Sequence, residues 1–485
     1  MSTLLITRYV SPGDYGELSV AVVLVYTTDV LSRFGLFQYF LAKPEADRAD
    51  IFHATVYNLV LILLGAGLLF AFRWPLGPLF DAPRMALYLP GLALAVVIER
   101  FTLGPARILW RDLRYGTVRL SSAAGDVVYS IVTIGFAMAG WGATSVVLGN
   151  IARALVVLLL IVRAADRREW LSPTPLRWEP TRRLFAFGLP LSVGSIASFA
   201  SRRWDNLVIS RVFGPAAVGL YNLAYNLAEL PASYLGEEMA VVLLPAFARL
   251  SPDRRAASLV RSTALLALVV APAAAGLAAV SDTLVSLLFD ARWVGLAPLV
   301  AVLALSAFGR VAASTVVSYL PVRDRPGAVM WLEIFKVATL LAGIALSARL
   351  GLIWACGAVV LAFTLHALAG MWVVARLDGI SMLGLVGAAV RPLLAAGPMV
   401  AAVFGVKRGL AAVGLTSRLL SLSAQIATGG LVYVALALVL VRGTALDLLR
   451  VVRDALSRRR GKTEVATTTP PASEATDSAA EGKGT

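Results

Sequence analysis

The residues of this sequence best suited to chemistry are ionisable side chains embedded in apolar stretches. Val22, Tyr26, Asp29 and Arg33 follow i, i+4, i+7, i+11 spacing, so one helix face carries a carboxylate and a guanidinium able to pair. Ser195, Ser198, Arg202 and Asp205 share a second face, with Arg203 and Asn206 beside it. Asn222, Asn226, Glu229 and Ser233 form a third stripe, continued by Glu237 and Glu238. Ser306, Arg310 and Ser314 form a fourth stripe, and Glu333 with Lys336 a fifth. A charge inside a bilayer costs a few kcal/mol, so such groups face a wet cavity or one another. The chemistry they offer is recognition: guanidinium groups hold phosphate oxygens through paired, charge-assisted hydrogen bonds. The competing reading is ion pairing between helices. The clustering of basic groups favours a cleft for Arg33, Arg202 and Arg203, whereas Glu333 and Lys336 read as a structural pair. Glu99 and Arg100, near a span end, read as snorkelling side chains. His53 and His366 stand alone and read as satisfied core residues, not metal ligands.

The elements that must position these groups are membrane spans. Of 485 residues, 59% are apolar and 15% charged, against about 25% charged in soluble domains. That balance excludes a soluble enzyme, a nucleic-acid-binding protein and a disulfide scaffold; Cys356 is the one cysteine. Stretches of about 20 apolar residues mark thirteen complete spans, near 17–41, 51–72, 85–106, 120–140, 142–163, 184–208, 217–248, 258–280, 295–320, 327–348, 350–375, 385–405 and 422–441. The gaps between them are too short for a soluble catalytic domain. The chain carries 44 Lys and Arg with a net charge of +15. Alternate loops differ roughly threefold in Lys and Arg, which places the C-terminus in the cytoplasm and the first loop outside. Residues 444–460 read as a basic amphipathic segment on the inner leaflet, in contact with anionic lipids, and 461–485 as a disordered tail.

Ile6–Val22 aligns without gaps to Ile209–Tyr225, with identities at Ile6/Ile209, Arg8/Arg211, Pro12/Pro215, Gly16/Gly219 and Ala21/Ala224. Both segments fall at hinges between spans, and the charge count puts both hinges outside, so the halves form a parallel repeat about an axis along the membrane normal. Two similar lobes imply a cleft between them. The expected organisation is an N-terminal lobe at 1–163, a cytoplasmic inter-lobe loop at 164–183 and a C-terminal lobe at 184–375. Two additional spans follow at 376–443. Residues 184–203 have no first-lobe counterpart, which reads as a truncated first helix.

The pattern FGLPLSVGSIASFASRRWDNLVISRVFGPAAVGLYNLAYNLAELP, followed by Leu243-Leu244-Pro245-Ala246-Phe247, resembles the polysaccharide flippases of the multidrug/oligosaccharidyl-lipid/polysaccharide exporter superfamily. The residues carrying the resemblance are Asp205, Gly214, Gly219, Tyr221, Ala224, Leu227 and Pro245, with Pro12, Asp14-Tyr15-Gly16 and Gly35-Leu36-Phe37-Gln38 at the first hinge. The resemblance implies an all-α polytopic membrane protein with two parallel-repeat lobes around a central cleft, fourteen spans in the full plan. It implies translocation of a polyprenyl-pyrophosphate-linked oligosaccharide across the bacterial plasma membrane by alternating access, for surface polysaccharide synthesis. Polymerases and glycosyltransferases of the same pathway would be partners. The alternative is a cation-coupled drug or metabolite antiporter of that superfamily. A membrane glycosyltransferase or polymerase would need acidic groups in an outer loop, and no carboxylate pair recurs there. The expected cleft residues are Asp29, Arg33, Arg202, Arg203, Asp205, Asn222, Asn226, Glu229 and Arg310, with Pro12, Gly16, Pro215 and Gly219 at the hinges. No catalytic residue, cofactor, metal or nucleic-acid partner is expected.

Overall fold

The computed structural model describes residues 6–33, 48–166, 174–175, 178–232, 243, 247, 249–323, 325–414, 417–451 and 453. Gly35–Gln38, Ser233, Glu237, Glu238, Pro245, most of the inter-lobe loop and the tail lie outside the described residues. Among the described residues the regular elements are all helical: α1 (Pro12–Arg33), α2 (Arg48–Leu79), α3 (Met85–Arg100), α4 (Leu103–Arg111), α5 (Tyr115–Met138), α6 (Thr144–Ala164), α7 (Trp178–Arg203), α8 (Asp205–Phe213) and α9 (Pro215–Ala232). Next come α10 (Pro252–Leu288), α11 (Leu296–Ala304), α12 (Ser306–Tyr319), α13 (Pro326–Leu346), α14 (Leu352–Asp378), α15 (Met382–Val390), α16 (Leu393–Ala412) and α17 (Arg418–Leu440).

Ten helical stretches among the described residues are long and apolar enough to cross a membrane. The other three expected spans fall on α1, on α7 with α8, and on α9, where Asp29, Arg33, Arg202, Arg203, Asp205 and Glu229 interrupt the apolar run. The chain is a multi-pass membrane protein. The span expected at 295–320 is one stretch, Leu296–Arg323, running through α11 and α12 with Leu305 between them in helical conformation, and α10 extends well past the expected 258–280. Residues 442–451 are helical and dock on α10, where Arg261 donates to Asp447 at 2.6 and 2.5 Å.

Both hinges are built by local chemistry. Ser11 Oγ accepts from the Asp14 amide at 3.1 Å and donates to its carboxylate at 2.8 Å, while Pro12 fills the first helical turn. At the second hinge Gly214 adopts φ +82°, a left-handed conformation that favours glycine, and Pro215 then starts α9.

The hinge helices α1 and α9 pack directly on each other, and glycine makes this possible. A Cβ on Gly16 would lie 1.7 Å from the Pro215 carbonyl oxygen, and one on Gly219 would lie 1.9 Å from that of Pro12. The contact is reciprocal, residue for residue, as a twofold axis requires. Because both helices begin at the same end, the repeat runs parallel.

One apolar core joins the two halves at that end. It contains Val20, Ala21 and Leu89 from the first half and Ile209, Tyr221, Trp293 and Val359 from the second. At the opposite end the apolar clusters are separate: Leu109, Val157 and Ile161 in the first half, Leu259, Val311, Tyr319 and Met371 in the second. Toward the other end the halves meet again through polar and aromatic contacts, where Tyr57 of α2 lies 2.7 Å from the Thr181 hydroxyl and edge-on to Phe185 of α7 at 5.5 Å.

Candidate functional site

The embedded charges lie just past the point where the shared core stops. At about 1.5 Å per residue, Glu229 and Arg310 sit roughly 20 Å from the hinge-end starts of α9 and α11, and Asp29 roughly 25 Å from that of α1. The plug above them is closed by apolar packing and by Trp293, whose indole donates to the Thr7 carbonyl at 3.1 Å. The Tyr15 ring meets Trp293 edge-on at 6.1 Å.

In the first half, Asp29 is buried and held from two sides. Arg33 donates to its Oδ2 at 2.7 Å from the next turn of α1, and Arg100 of α3 donates to its Oδ1, its carbonyl oxygen and the Ser32 hydroxyl. The snorkelling expectation for Arg100 is therefore corrected: its side chain is 3% exposed, because Asp29 supplies the counter-charge that makes burial tolerable. Arg33 differs, with 55% of its side chain exposed beyond the same carboxylate. Glu99, one residue before Arg100, lies 3.9 Å from Arg153, which also pairs with Asp126.

In the second half, Asp205 begins α8 and is fully buried. It accepts from the Tyr221 hydroxyl at 2.6 Å and from the Asn206 amide at 2.8 Å. A ladder of amides continues along α9, from Asn222 to Asn206 at 3.4 Å and from Asn226 to Asn222 at 2.7 Å. These contacts fix α8 on α9. Between α7 and α8 the Trp204 indole donates to Thr27 of α1 at 3.1 Å, tying the halves together. Arg202 is exposed and Arg203 half-buried; among the described residues neither guanidinium has a carboxylate within ion-pair reach.

Arg310 is placed by a glycine. A Cβ on Gly309 would lie 2.7 and 2.8 Å from the backbone of Phe363, so the missing side chain lets α12 approach α14 closely here. The guanidinium then sits 4.3 Å from the Phe363 ring centroid and 4.7 Å from that of Tyr225, and bonds Glu229 at 2.9 Å. On α13, Lys336 pairs with Glu333 at 2.6 Å and lies 5.6 Å from the same Phe363 ring. His366 of α14 is 3% exposed, with neither ring nitrogen hydrogen-bonded and Nε2 3.9 Å from Glu333 Oε1. It is not the satisfied core residue expected; burial came from helix packing without a partner for either nitrogen. His53 is buried on α2.

Sequence spacing found the charged stripes within each helix. It missed the partners that come from other helices: Arg100 for Asp29, Tyr221 for Asp205, and Phe363 between Arg310 and Lys336. No period within one helix carries that information. Among the described residues no group of His, Cys, Asp and Glu could hold a metal ion.

A helical membrane protein built from two pseudo-symmetric halves that share one apolar core, with charged side chains embedded beyond it, has the layout of a membrane transporter. Residues 5–298 match the family model described as polysaccharide biosynthesis protein, and the chain belongs to that family. It is 26% identical over 460 residues to the succinoglycan biosynthesis transport protein ExoT of Rhizobium meliloti (strain 1021), covering 93% of this chain and 91% of that one. It is 25% identical over 344 residues to the lipopolysaccharide biosynthesis protein WzxC of Escherichia coli (strain K12), covering 68% of each. Its fold matches that of the lipid II flippase MurJ in an inward closed conformation, with a TM-score of 0.72 at 13% identity over 91% of this chain and 97% of that one.

Proposed function

We propose that this protein moves a polyprenyl-diphosphate-linked oligosaccharide from the inner to the outer leaflet of the bacterial plasma membrane, with its C-terminus in the cytoplasm. The observation carrying this reading is the arginine pair Arg202 and Arg203, which has no carboxylate partner among the described residues. A diphosphate carries at least two negative charges, and a low-dielectric path is tolerable for it only beside compensating cations. Arginine suits the task through its planar two-point geometry. Arg33 adds a third exposed guanidinium from the facing half. Asp205, Asn222 and Asn226 hold α8 and α9 so that the arginine pair on α7 is presented to the substrate. The division into lobes at 1–163 and 184–375, with two further spans at 376–443, supports rocking of one half against the other about the hinges. Glycosyltransferases that build the lipid-linked unit would act before this step, and a polymerase after it.

The test is export of surface glycan in cells carrying the protein as their sole flippase. The double substitution Arg202→Ala, Arg203→Ala abolishes export while membrane abundance stays near normal, and the double lysine variant retains partial export. Normal export by the double-alanine protein overturns the assignment of this pair to the substrate.

A further inference from the structure

We infer that Arg310 and Lys336, sharing the Phe363 ring, form a second anion site for the diphosphate, kept closed by Glu229 and Glu333. This inference rests on the proposed substrate class and goes beyond it in naming which residues receive the phosphates and what they let go.

The geometry is that of a held-apart cation pair. The two cationic groups lie 4.3 and 5.6 Å from one ring centroid, so they are within about 10 Å of each other. Two phosphates joined by one oxygen can bridge that distance with a charge-assisted bond at each end. Each cation now has one carboxylate, Glu229 at 2.9 Å and Glu333 at 2.6 Å.

Accessibility argues against a sealed structural pair. The side chains of Lys336, Arg310, Glu333 and Glu229 are 10, 13, 16 and 21% exposed, so none of the four is sealed off, and the carboxylates are slightly more open than the cations. The buried Asp29–Arg100 pair, at 5 and 3%, shows what a closed pair looks like in this same protein. Arg310 also has a free donor, since its Nε is buried without a hydrogen-bond partner.

Displaced carboxylates need somewhere to go. Glu333 Oε1 already lies 3.9 Å from Nε2 of His366, whose ring nitrogens are both unbonded. A small rotation exchanges Lys336 for His366 as its neighbour. The carboxylates thus act as stand-ins for the substrate's phosphates: they neutralise Arg310 and Lys336 in this arrangement and yield when a diphosphate arrives. Lys336 becomes a binding residue where helical spacing alone made it structural.

The experiment measures affinity of the detergent-solubilised full chain for farnesyl diphosphate and farnesyl monophosphate, by quenching of intrinsic tryptophan fluorescence. Lys336→Gln weakens diphosphate binding about tenfold or more, the scale of one lost charge-assisted bond, and changes monophosphate binding far less. Glu333→Gln removes a competitor and tightens diphosphate binding. The double variant Glu333→Gln, Lys336→Gln restores charge balance and thermal stability but not diphosphate affinity. If Lys336→Gln binds as the parent does, or the double variant recovers full affinity, the pair is structural and the inference fails while the proposed substrate class stands. If the parent protein binds neither probe, the substrate class fails with it.

Discussion

A methyl group on Gly16 tests the sealed end directly. In Gly16→Ala the new carbon would lie 1.7 Å from the Pro215 carbonyl oxygen, against about 3.3 Å for an ordinary carbon–oxygen contact. Both α1 and α9 are regular helices here, so the backbone accepts alanine and the clash is relieved only by moving the helices apart by roughly 1.5 Å. Overpacking of this kind costs about 1–3 kcal/mol. The cost falls on the state sealed at the hinge end and not on a state parted there, so it shifts the equilibrium between them by about 5- to 150-fold. Val20 lies one turn from Gly16 on the same face and is fully buried. A cysteine at Val20, in a Cys356→Ser background, should react with an impermeant maleimide from the hinge side faster by a factor in that range when Gly16→Ala is added. Gly13→Ala is the control, since its nearest neighbour would be 3.9 Å away. Equal labelling of the Gly16→Ala and Gly13→Ala proteins would refute the claim that this glycine contact governs closure.

Two further perturbations follow from the pairs described above. Arg100→Ala leaves Asp29 with Arg33 alone and should lower stability by about 3–5 kcal/mol, while Asp29→Asn combined with Arg100→Gln should cost much less; thermal unfolding in detergent distinguishes them, and equal losses would show that the pair is not coupled. The Arg261 guanidinium holds the Asp447 carboxyl below the usual carboxylate range, so docking of residues 442–451 is favoured above that range and weakens as the pH falls through the depressed value; the protection of these amides relative to their intrinsic exchange rate should fall on acidification in the parent and stay constant in Asp447→Asn.

The fold was legible from the apolar runs and the repeat because both depend on local pattern. Pro12 and Pro215, Gly16 and Gly219 are turn and packing signals that survive without a partner in view. Helix ends were harder to read. α10 continues through Ser281, Asp282 and Thr283 to Leu288, past the point near 280 where the apolar run stops. The site followed the same division. Asp29 with Arg33 is an i, i+4 pair visible in one helix, whereas Arg100 comes from α3, seventy-one residues away. Glu333 and Lys336 were visible as a pair, but their shared ring with Arg310 depends on Gly309 drawing α12 onto α14.

The reciprocal contact between Gly16 and Gly219 also bears on ancestry. Two copies of a segment that touch each other across an axis began as the same surface meeting itself, as in a dimer of identical subunits later fused into one gene. From that moment neither copy could drift alone, since a side chain added to one glycine strikes the backbone of the other copy. Of the identities remaining between Ile6–Val22 and Ile209–Tyr225, Ile6/Ile209, Gly16/Gly219 and Ala21/Ala224 are buried in both copies, and Pro12 and Pro215 supply the carbonyls that the glycines meet. The shared residues thus include those through which the two segments meet, the glycines and the prolines whose carbonyls they face.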